Sequence, residues 1–452
     1  MGAAMGVPQR VAVIGAGAAG LAAVKALRDA DVPTVGFESA EQVGGLWVYG
    51  APDSPAYRTL HLNTSRGRTQ FADHPMPTDW PDYPDHRRVA GYLGDYAARF
   101  GLADTIRLRH TVERVTQHPN GTWTVAASGP NGPVEVTVDA VVVANGHNRV
   151  PRLPDPGYPG TCTCTAEQIH SHDYRGPEQL AGRRVLVVGG GNSAMDIAVD
   201  ASYAATRTLL SLRRGVWVVP KYLLGRPSDT LNGALARRLP WRLRQRISQT
   251  MLSATVGNPA RYGLPAPTHG FLQDHPTLSD GLLSRLTHGD VEARPGVAAL
   301  DGDRVEFTDG RSDSVDLIIW CTGYRVDVPF LDAALLAGGA DTLPLYRHVF
   351  HPDAPGLSFV GLMQSTGSAF PLVEAQAKLI AAHLAGRYAL PDPERQRAAC
   401  RAELRAATAR WGQRRPAMRV DFDVYLAELA RELTAGTRRA RSGTAPSVGA
   451  PR

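Results

Sequence analysis

Three glycines near the start of the chain have the spacing of a phosphate-binding loop. Gly15, Gly17 and Gly20 form a G-x-G-x-x-G pattern between a short apolar strand and a helical segment. In such a loop the first glycine permits a tight turn, the second lets a pyrophosphate approach, and the third lets the helix pack on the strand. The next strand ends in Glu38, whose carboxylate would bind a ribose diol and repel a 2′-phosphate. These residues predict a dinucleotide site for an unphosphorylated ribose.

A second glycine pair follows this carboxylate. Gly44 and Gly45 precede Leu46 and Trp47, and backbone without side chains can run close along a bulky cofactor. The alternative is a plain turn followed by a tryptophan of the core. We interpret Gly45, Leu46 and Trp47 as part of the cofactor site.

Another loop of the same kind lies in the middle of the chain. The segment Gly189-Gly190-Gly191-Asn192-Ser193-Ala194 again stands between a strand and a helix, with Ala194 in the third glycine position. The following strand ends in Ser211-Leu212-Arg213-Arg214, where the first one ended in a glutamate. A hydroxyl and two guanidinium groups suit a 2′-phosphate through charge-assisted hydrogen bonds. The contrast between the two strand ends predicts that one loop binds FAD and the other NADPH.

The elements around the loops predict an α/β fold with two Rossmann-like dinucleotide-binding domains, the NADPH domain inserted in the FAD domain. Strand, helix and strand alternate at each loop, and the segments near 112–115, 122–126 and 134–138 alternate as strands of a small antiparallel sheet do. The expected division is 1–175 for the first part of the FAD domain, 176–310 for the NADPH domain, 311–435 for the second part of the FAD domain with the C-terminal helices, and 436–452 for a disordered tail.

Three other stretches carry structural expectations. A basic helix is expected over Leu231–Met251, and the long loop region Gly50–His86 is expected to be functional because simple connections are shorter. The Pro- and Gly-rich stretch Gly257–Asp274 is the expected lid of a substrate pocket. The last long helix is expected to begin near Phe370-Pro371, either with its positive end toward a flavin or as an ordinary capped helix.

Composition argues against several other classes of protein. The hydrophobic share of 43% and the charged share of 20% are those of a globular enzyme, and a net charge of +6 is too modest to favour nucleic-acid binding. The four cysteines form no C-x-x-C pair, the histidines have no metal spacing, and no G-x-S-x-G motif is present. No run approaches the ~18 apolar residues that cross a bilayer. We therefore expect a cytoplasmic protein without a metal, and a homodimer stays open as its assembly.

Further motifs resemble those of the class B flavin-containing monooxygenases, over about Val11 to Gly386. In this sequence they are Gly44-Gly45-Leu46-Trp47, Leu62-Asn63-Thr64-Ser65-Arg66, His170-Ser171-His172-Asp173-Tyr174, Arg213-Arg214-Gly215-Val216-Trp217, Cys321-Thr322-Gly323-Tyr324 and Glu374-Ala375-Gln376-Ala377. The third is similar to the end of the family motif F-x-G-x-x-x-H-S-x-x-Y, although Cys164 and Ala166 stand at its Phe and Gly positions. The resemblance places Asn63 beside the flavin ring and adds Thr322, Gly323 and Gln364 to the cofactor contacts.

The resemblance implies a monooxygenase reaction. NADPH would reduce FAD by hydride transfer, and the reduced flavin would react with O2 to give a C4a-hydroperoxide. Retained NADP+ would protect this species until a soft nucleophile, an amine or a sulfide of a small molecule, attacks it, with Asn63 as the residue that acts at the flavin. The cofactor carries the chemistry and the protein supplies orientation and a dry site. Baeyer–Villiger oxidation of a ketone, an uncoupled NADPH oxidase and a non-catalytic flavoprotein remain as alternatives.

Overall fold

The structure is a computed structural model that describes residues 10–231, 239–274, 276–336, 338–413 and 415–443. In chain order its first strands are β1 (Val11–Ile14), β2 (Thr34–Phe37), β3 (Ile106–Arg107), β4 (Thr111–Gln117), β5 (Trp123–Gly129), β6 (Gly132–Val138), β7 (Ala140–Val143), β8 (Val150–Pro151), β9 (Glu167–His170), β10 (Arg184–Val188), β11 (Arg207–Ser211) and β12 (Val218–Val219). The others are β13 (Tyr222–Leu223), β14 (Arg226–Pro227), β15 (Thr277–Leu278), β16 (Glu292–Arg294), β17 (Val297–Asp301), β18 (Arg304–Phe307), β19 (Ser312–Ser314), β20 (Leu317–Trp320), β21 (Tyr324–Arg325), β22 (Leu357–Phe359), β23 (Gln364–Ser365) and β24 (Arg419–Val420). The α-helices are α1 (Ala18–Arg28), α2 (Arg66–Thr69), α3 (His86–Arg99), α4 (Asn192–Ala204), α5 (Trp241–Thr255), α6 (Gly281–His288), α7 (Phe370–Leu384), α8 (Pro393–Trp411) and α9 (Phe422–Arg441).

The first unit is built on a parallel sheet with strand order β22-β7-β1-β2-β3. Val11 and Val13 belong to a core shared with α1, α3 and α7, whereas Ala12 and Ile14 face the antiparallel sheet β4-β5-β6. Burial on both sides explains the continuous apolar runs of these strands. From β1 the chain continues to β2 on one side while β7 lies on the other, so the carboxyl ends of β1 and β7 form the crevice where open α/β sheets bind ligands.

The second unit repeats this design with strand order β16-β11-β10-β20-β9, again parallel. Val185 and Val187 share a core with α4 and α6, and Leu186 and Val188 share another with β17 and β18. The corresponding crevice lies at the carboxyl ends of β10 and β20. The prediction of an α/β fold with two Rossmann-like domains is confirmed.

The strand pairing moves the predicted domain limits. Strands β9 and β20 lie side by side in the second sheet. The prediction had placed β9 in the first part of the FAD domain and β20 in its second part. The chain crosses between the units at β8 and β21, which pair as a short antiparallel ribbon. The predicted limits at residues 175 and 310 are therefore wrong, because they separate strands that complete the second sheet.

The predicted disordered tail starts too early. Helix α9 continues through Gly436 to Arg441, and residues 444–452 lie outside the described part of the chain. A Cβ at Gly436 would lie 1.9 Å from a ring carbon of Tyr388, so this glycine lets α9 cross closely over a buried tyrosine. The basic helix begins at Trp241, and residues 232–238 of that prediction also lie outside the described ranges.

The described residues contain neither a membrane span nor a metal cluster. None of their helices is both long and apolar enough to pass through a bilayer. Nor do His, Cys, Asp and Glu side chains come together in the described ranges as a group of three or more that could hold a metal ion.

Candidate active site

The three glycines of the first loop have different structural roles. Gly15 has φ +103°, and a Cβ there would lie 2.5 Å from the Ala144 carbonyl oxygen; a Cβ at Gly20 would lie 1.8 Å from the Gly15 carbonyl oxygen. Both glycines are required by the fold itself. Gly17 is different, because its φ is −72° and its Cβ would make only an ordinary contact, 3.6 Å from Gly45 Cα. No close contact therefore requires a glycine at position 17, and the pyrophosphate contact that the pattern assigns to it stays a prediction.

Glu38 closes this loop from the end of β2. Its side chain is buried, Oε2 accepts a hydrogen bond from Ala16 N at 2.6 Å, and Oε1 accepts one from Ala40 N at 2.9 Å. Helix α1 begins beside it without a side-chain cap on Gly17 and without an acidic residue in its first turn. A helix N-terminus of this kind attracts a phosphate, and the ribose contact of the Glu38 carboxylate stays a prediction.

The second glycine pair lies directly on the first loop. Gly44 N donates to Ala16 O at 3.0 Å, and a Cβ at Gly45 would approach Gly17 Cα to 3.0 Å. The short 3₁₀ helix Gly45–Trp47 then leaves Leu46 39% exposed, while Trp47 is half-buried against the first core. The pair is therefore more than a remote turn, because it forms one wall of the space around Gly17.

The second loop has the same geometry as the first. Gly189 has φ +148°, and its Cβ would lie 2.4 Å from the Cys321 carbonyl oxygen at the end of β20. A Cβ at Gly191 would meet no atom within 4 Å, and Ala194 is fully buried where α4 packs on the sheet. The Asn192 side-chain oxygen accepts a hydrogen bond from Leu278 N at 3.0 Å, so it braces the loop. Ser193 follows it in the first turn of α4, which has no side-chain cap on Gly191.

A cleft of about 850 Å³ opens above this loop. It is lined by the loop glycines, by Ser211–Arg214 and by the crossing segment around Arg152 and Tyr158. Arg213 and Arg214 are exposed and form no hydrogen bond or ion pair with described residues. The Ser211 hydroxyl is buried and donates to Pro295 O at 2.7 Å, whereas the two guanidinium groups keep all their donors for a ligand; the contacts of these three side chains with a phosphate stay a prediction.

The three contacts added by the family resemblance lie in different places. Thr322 lines the cleft above the second loop, and its hydroxyl donates to Arg152 O. Gly323 belongs to the crossing ribbon, where its carbonyl accepts from Arg152 N at 3.0 Å. Gln364 is half-buried in β23, in the first unit, where the neighbouring Gly361 packs close to the first turn of α1.

Asn63 lies in the long loop, between one residue packed in the first unit and another bound to the second. Leu62 is 2% exposed in the first core, and Ser65 donates from N and Oγ to Asp229 Oδ2 at 2.7 and 3.0 Å. Asn63 itself is half-buried, and within the described ranges its amide forms no hydrogen bond. Its donor and acceptor are therefore available to a ligand.

Two other predicted features lie near the boundary of the units. The expected lid Gly257–Asp274 packs on the second unit, where Trp217 Nε1 donates to His269 O at 2.9 Å, and Asp274 reaches the first unit through an ion pair with Arg419 at 2.6 Å. Helix α7 begins at Phe370, whose N–H donates a hydrogen bond to the Ser368 hydroxyl oxygen at 3.4 Å. Both interpretations of this helix start remain open.

Sequence reasoning missed the segment that follows β7. Asn145 lies beside Gly15 and donates from Nδ2 to Asp327 O at 3.0 Å. Burial, together with the positive charge of Arg415, lowers the pKa of His147 to about 4, so its imidazole is neutral at pH 7. The available signal was positional: residues just after a parallel strand that neighbours the loop strand face the ligand crevice.

Comparison with known proteins identifies the family of this chain. The sequence model of the "FMO-like: Flavin-binding monooxygenase-like" family matches residues 8–438. Flavin-containing monooxygenase 5 of Oryctolagus cuniculus is 33% identical over 403 residues, 85% of this chain and 75% of that protein. Dimethylaniline monooxygenase (N-oxide-forming) 2 of the same species is 32% identical over 450 residues, 94% and 83% of the two chains.

Solved structures are similar over nearly the whole chain. The S-allyl-L-cysteine S-oxygenase of Allium sativum has a TM-score of 0.72 and 27% identity, covering 97% of this chain and 94% of that one. An oxidised steroid monooxygenase bound to NADP has a TM-score of 0.70 at 19% identity, covering 95% of this chain and 98% of that one. At this level of identity the similarity shows the fold alone. With two dinucleotide loops and this family match, the chain belongs to the flavin-binding monooxygenase-like family and is an FAD- and NADPH-dependent monooxygenase.

Proposed function

We propose that this enzyme transfers one oxygen atom of O2 to the nitrogen of an amine or the sulfur of a sulfide in a small molecule. NADPH supplies two electrons as a hydride, the lone pair of the substrate supplies two more, and solvent supplies one proton, so the other oxygen atom leaves as water and NADP+ is formed. The observation that carries the proposal is the similarity, above 25% identity in each case, to an N-oxide-forming and to an S-oxygenating enzyme.

The two loops divide the cofactors between them in this proposal. The loop at Gly17, with the carboxylate of Glu38, would hold FAD, which supplies hydride acceptance and oxygen activation when bound. The loop at Gly191, with the exposed guanidinium groups of Arg213 and Arg214, would hold NADPH. Opposite charges at the two strand ends support this division, because a carboxylate repels a 2′-phosphate and a guanidinium binds it.

Asn63 is the side chain that we assign to the reacting region. Its amide carries a donor and an acceptor and does not titrate, so it can orient a polar group without taking up a proton. The half-buried position and the unpaired amide, within the described residues, support this role. Loss of one such hydrogen bond is worth about 0.5–1.5 kcal/mol, or about two- to tenfold in a rate.

The test combines a substrate panel with one variant. Purified enzyme with NADPH and ¹⁸O2 is offered an amine, a sulfide and a ketone, and mass spectrometry follows the gain of one labelled oxygen. Asn63→Ala should keep its FAD and its anaerobic reduction by NADPH, but release about two- to tenfold more hydrogen peroxide per product. Asn120→Ala, in the turn between β4 and β5, is the matched control.

Each outcome of this test has a distinct meaning. Labelled ester from the ketone alone would replace the proposal with Baeyer–Villiger chemistry. NADPH consumption with peroxide and without any labelled product would replace it with an oxidase. If the wild type oxygenates the amine or sulfide and Asn63→Ala is unchanged, the reaction stands and the role of Asn63 is lost.

We also infer that the enzyme works in the cytoplasm. All four cysteines are free thiols, and Cys162 is exposed. Exposed free thiols persist in a reducing compartment. Cell fractionation with a compartment marker tests this inference.

A further inference from the structure

The loop that carries Asn63 belongs to the first unit in sequence but packs into the second. Tyr57 is 3% exposed and is part of the core that the second unit forms around α4. Its ring centroid lies 5.6 Å from that of Tyr174, a fully buried residue of the second unit. Tyr57 therefore belongs to the loop that carries Asn63, but its side chain lies in the core of the second unit.

Two carboxylates on α4 bind this loop. Tyr57 Oη donates to Asp196 Oδ2 at 2.6 Å, and Thr59 Oγ1 donates to Asp200 Oδ2 at 2.5 Å. Tyr174 Oη donates to the same oxygen of Asp200 at 2.7 Å. The two aspartates are one helical turn apart, so they present their side chains on one face of α4.

A second connection lies on the other side of Asn63. Asp229, which follows the hairpin β13-β14 of the second unit, accepts hydrogen bonds from the backbone and the hydroxyl of Ser65. Between these connections Leu62 stays in the first core, with its N–H donating to Pro84 O at 2.9 Å. Asn63 thus lies where the loop passes from one unit to the other.

We propose that Asp200 and Asp229 are positioning residues, through which the second unit holds Asn63 in its working place. This inference rests on the role proposed above for Asn63. Helix α4 begins at the loop assigned to NADPH, and its second and third turns carry the carboxylates that fix the Asn63 loop. The position of Asn63 therefore depends on hydrogen bonds to the second unit, including those to α4, the helix that begins at the NADPH loop. Loss of these hydrogen bonds frees the Asn63 loop from that unit.

The test uses variants that remove one connection each from the full-length, FAD-loaded enzyme. Asp229→Ala leaves Ser65 N–H without its acceptor, and Thr59→Val removes the bond to Asp200 while Tyr174 still donates to that carboxylate. Asp229→Asn keeps an acceptor oxygen and serves as the conservative rescue. Arg58→Ala is the matched control, because its bridge to Glu178 lies on the same loop with both side chains about half exposed.

Hydrogen–deuterium exchange gives a readout that does not depend on turnover. Peptides that cover residues 57–66 should exchange faster in Asp229→Ala and Thr59→Val than in wild type, with the Arg58 control unchanged. Peptides of α7 should exchange at the wild-type rate in all variants, which shows that the fold is intact. Unchanged exchange over 57–66 in both variants would overturn the proposal.

Coupling of NADPH use to product gives the second readout. The amount of peroxide released per product should rise about two- to tenfold in Asp229→Ala and return toward the wild-type amount in Asp229→Asn. The FAD content and the rate of anaerobic reduction should be unchanged in both variants. The double variant with Asn63→Ala should be no worse than Asn63→Ala alone, because both changes remove the same function. If Asn63→Ala uncouples the enzyme while Asp229→Ala and Thr59→Val do not, the positioning role is refuted and the proposed function stands. If Asn63→Ala itself has no effect, the failure belongs to the role of Asn63.

Discussion

The choice between NADPH and NADH should depend on Arg213. Its side chain is exposed at the end of β11, lines the cleft above the second loop, and has no ionic partner among the described residues. Arg214 is next to it, but it lies in the field of Asp274, which is itself paired with Arg419. Arg213→Ala therefore removes the positive charge that is less compensated within the protein.

The structure sets the expected size of this effect. A hydrogen bond to a charged group contributes about 1.5–3 kcal/mol, and the exposure of Arg213 favours the lower end because water and salt screen exposed charges. A loss of about 1.5 kcal/mol corresponds to about a tenfold rise in KM for NADPH. NADH has no 2′-phosphate, so its KM should change by less than about twofold.

Steady-state kinetics with both coenzymes at two salt concentrations measures this prediction. Salt should raise KM for NADPH in the wild type more than in Arg213→Ala, because the variant has lost a screened attraction. Arg311→Ala is the control: this arginine is exposed but pairs with Asp309 in its own turn. An equal change of KM for NADPH and NADH in Arg213→Ala would refute a phosphate contact, as would no change at all.

Two further predictions concern the first loop and helix α4. Gly17→Val should fold, since a Cβ there meets only Gly45 at 3.6 Å, but the purified protein should lack flavin colour. Gly191→Val should keep FAD and lose NADPH binding. The reverse pattern would mean that the loops are assigned the wrong way round. Burial raises the pKa of Asp196 to about 6, so the folded state binds an extra proton between that value and the unfolded value of about 3.9. Wild type should therefore lose about 1 kcal/mol relative to Asp196→Asn as the pH rises from 5 to 7.5, and denaturant titrations with a pH-independent difference would contradict this.

Local patterns in the sequence are enough to predict the two phosphate loops. Each loop is a contiguous run in which strand, glycines and helix follow one another, and the charge that discriminates the ribose lies at the end of the next strand. These features depend on residues a short distance apart in the chain, so the sequence alone predicts ligand roles for Glu38 and Arg213. The fold class follows from the same alternation of strand and helix.

Tertiary structure decided the features that depend on contacts between distant segments. Strand pairing placed β9 beside β20 and moved the domain limits, because the partner of a parallel strand is not encoded in its own residues. Gly436 resembled the end of ordered structure, but it is a packing contact with Tyr388, which only the approach of α9 reveals. The burial of Tyr57 in the second unit was hidden for the same reason. The sequence thus predicts which dinucleotide each loop binds, and long-range packing determined which unit holds the residues between the loops.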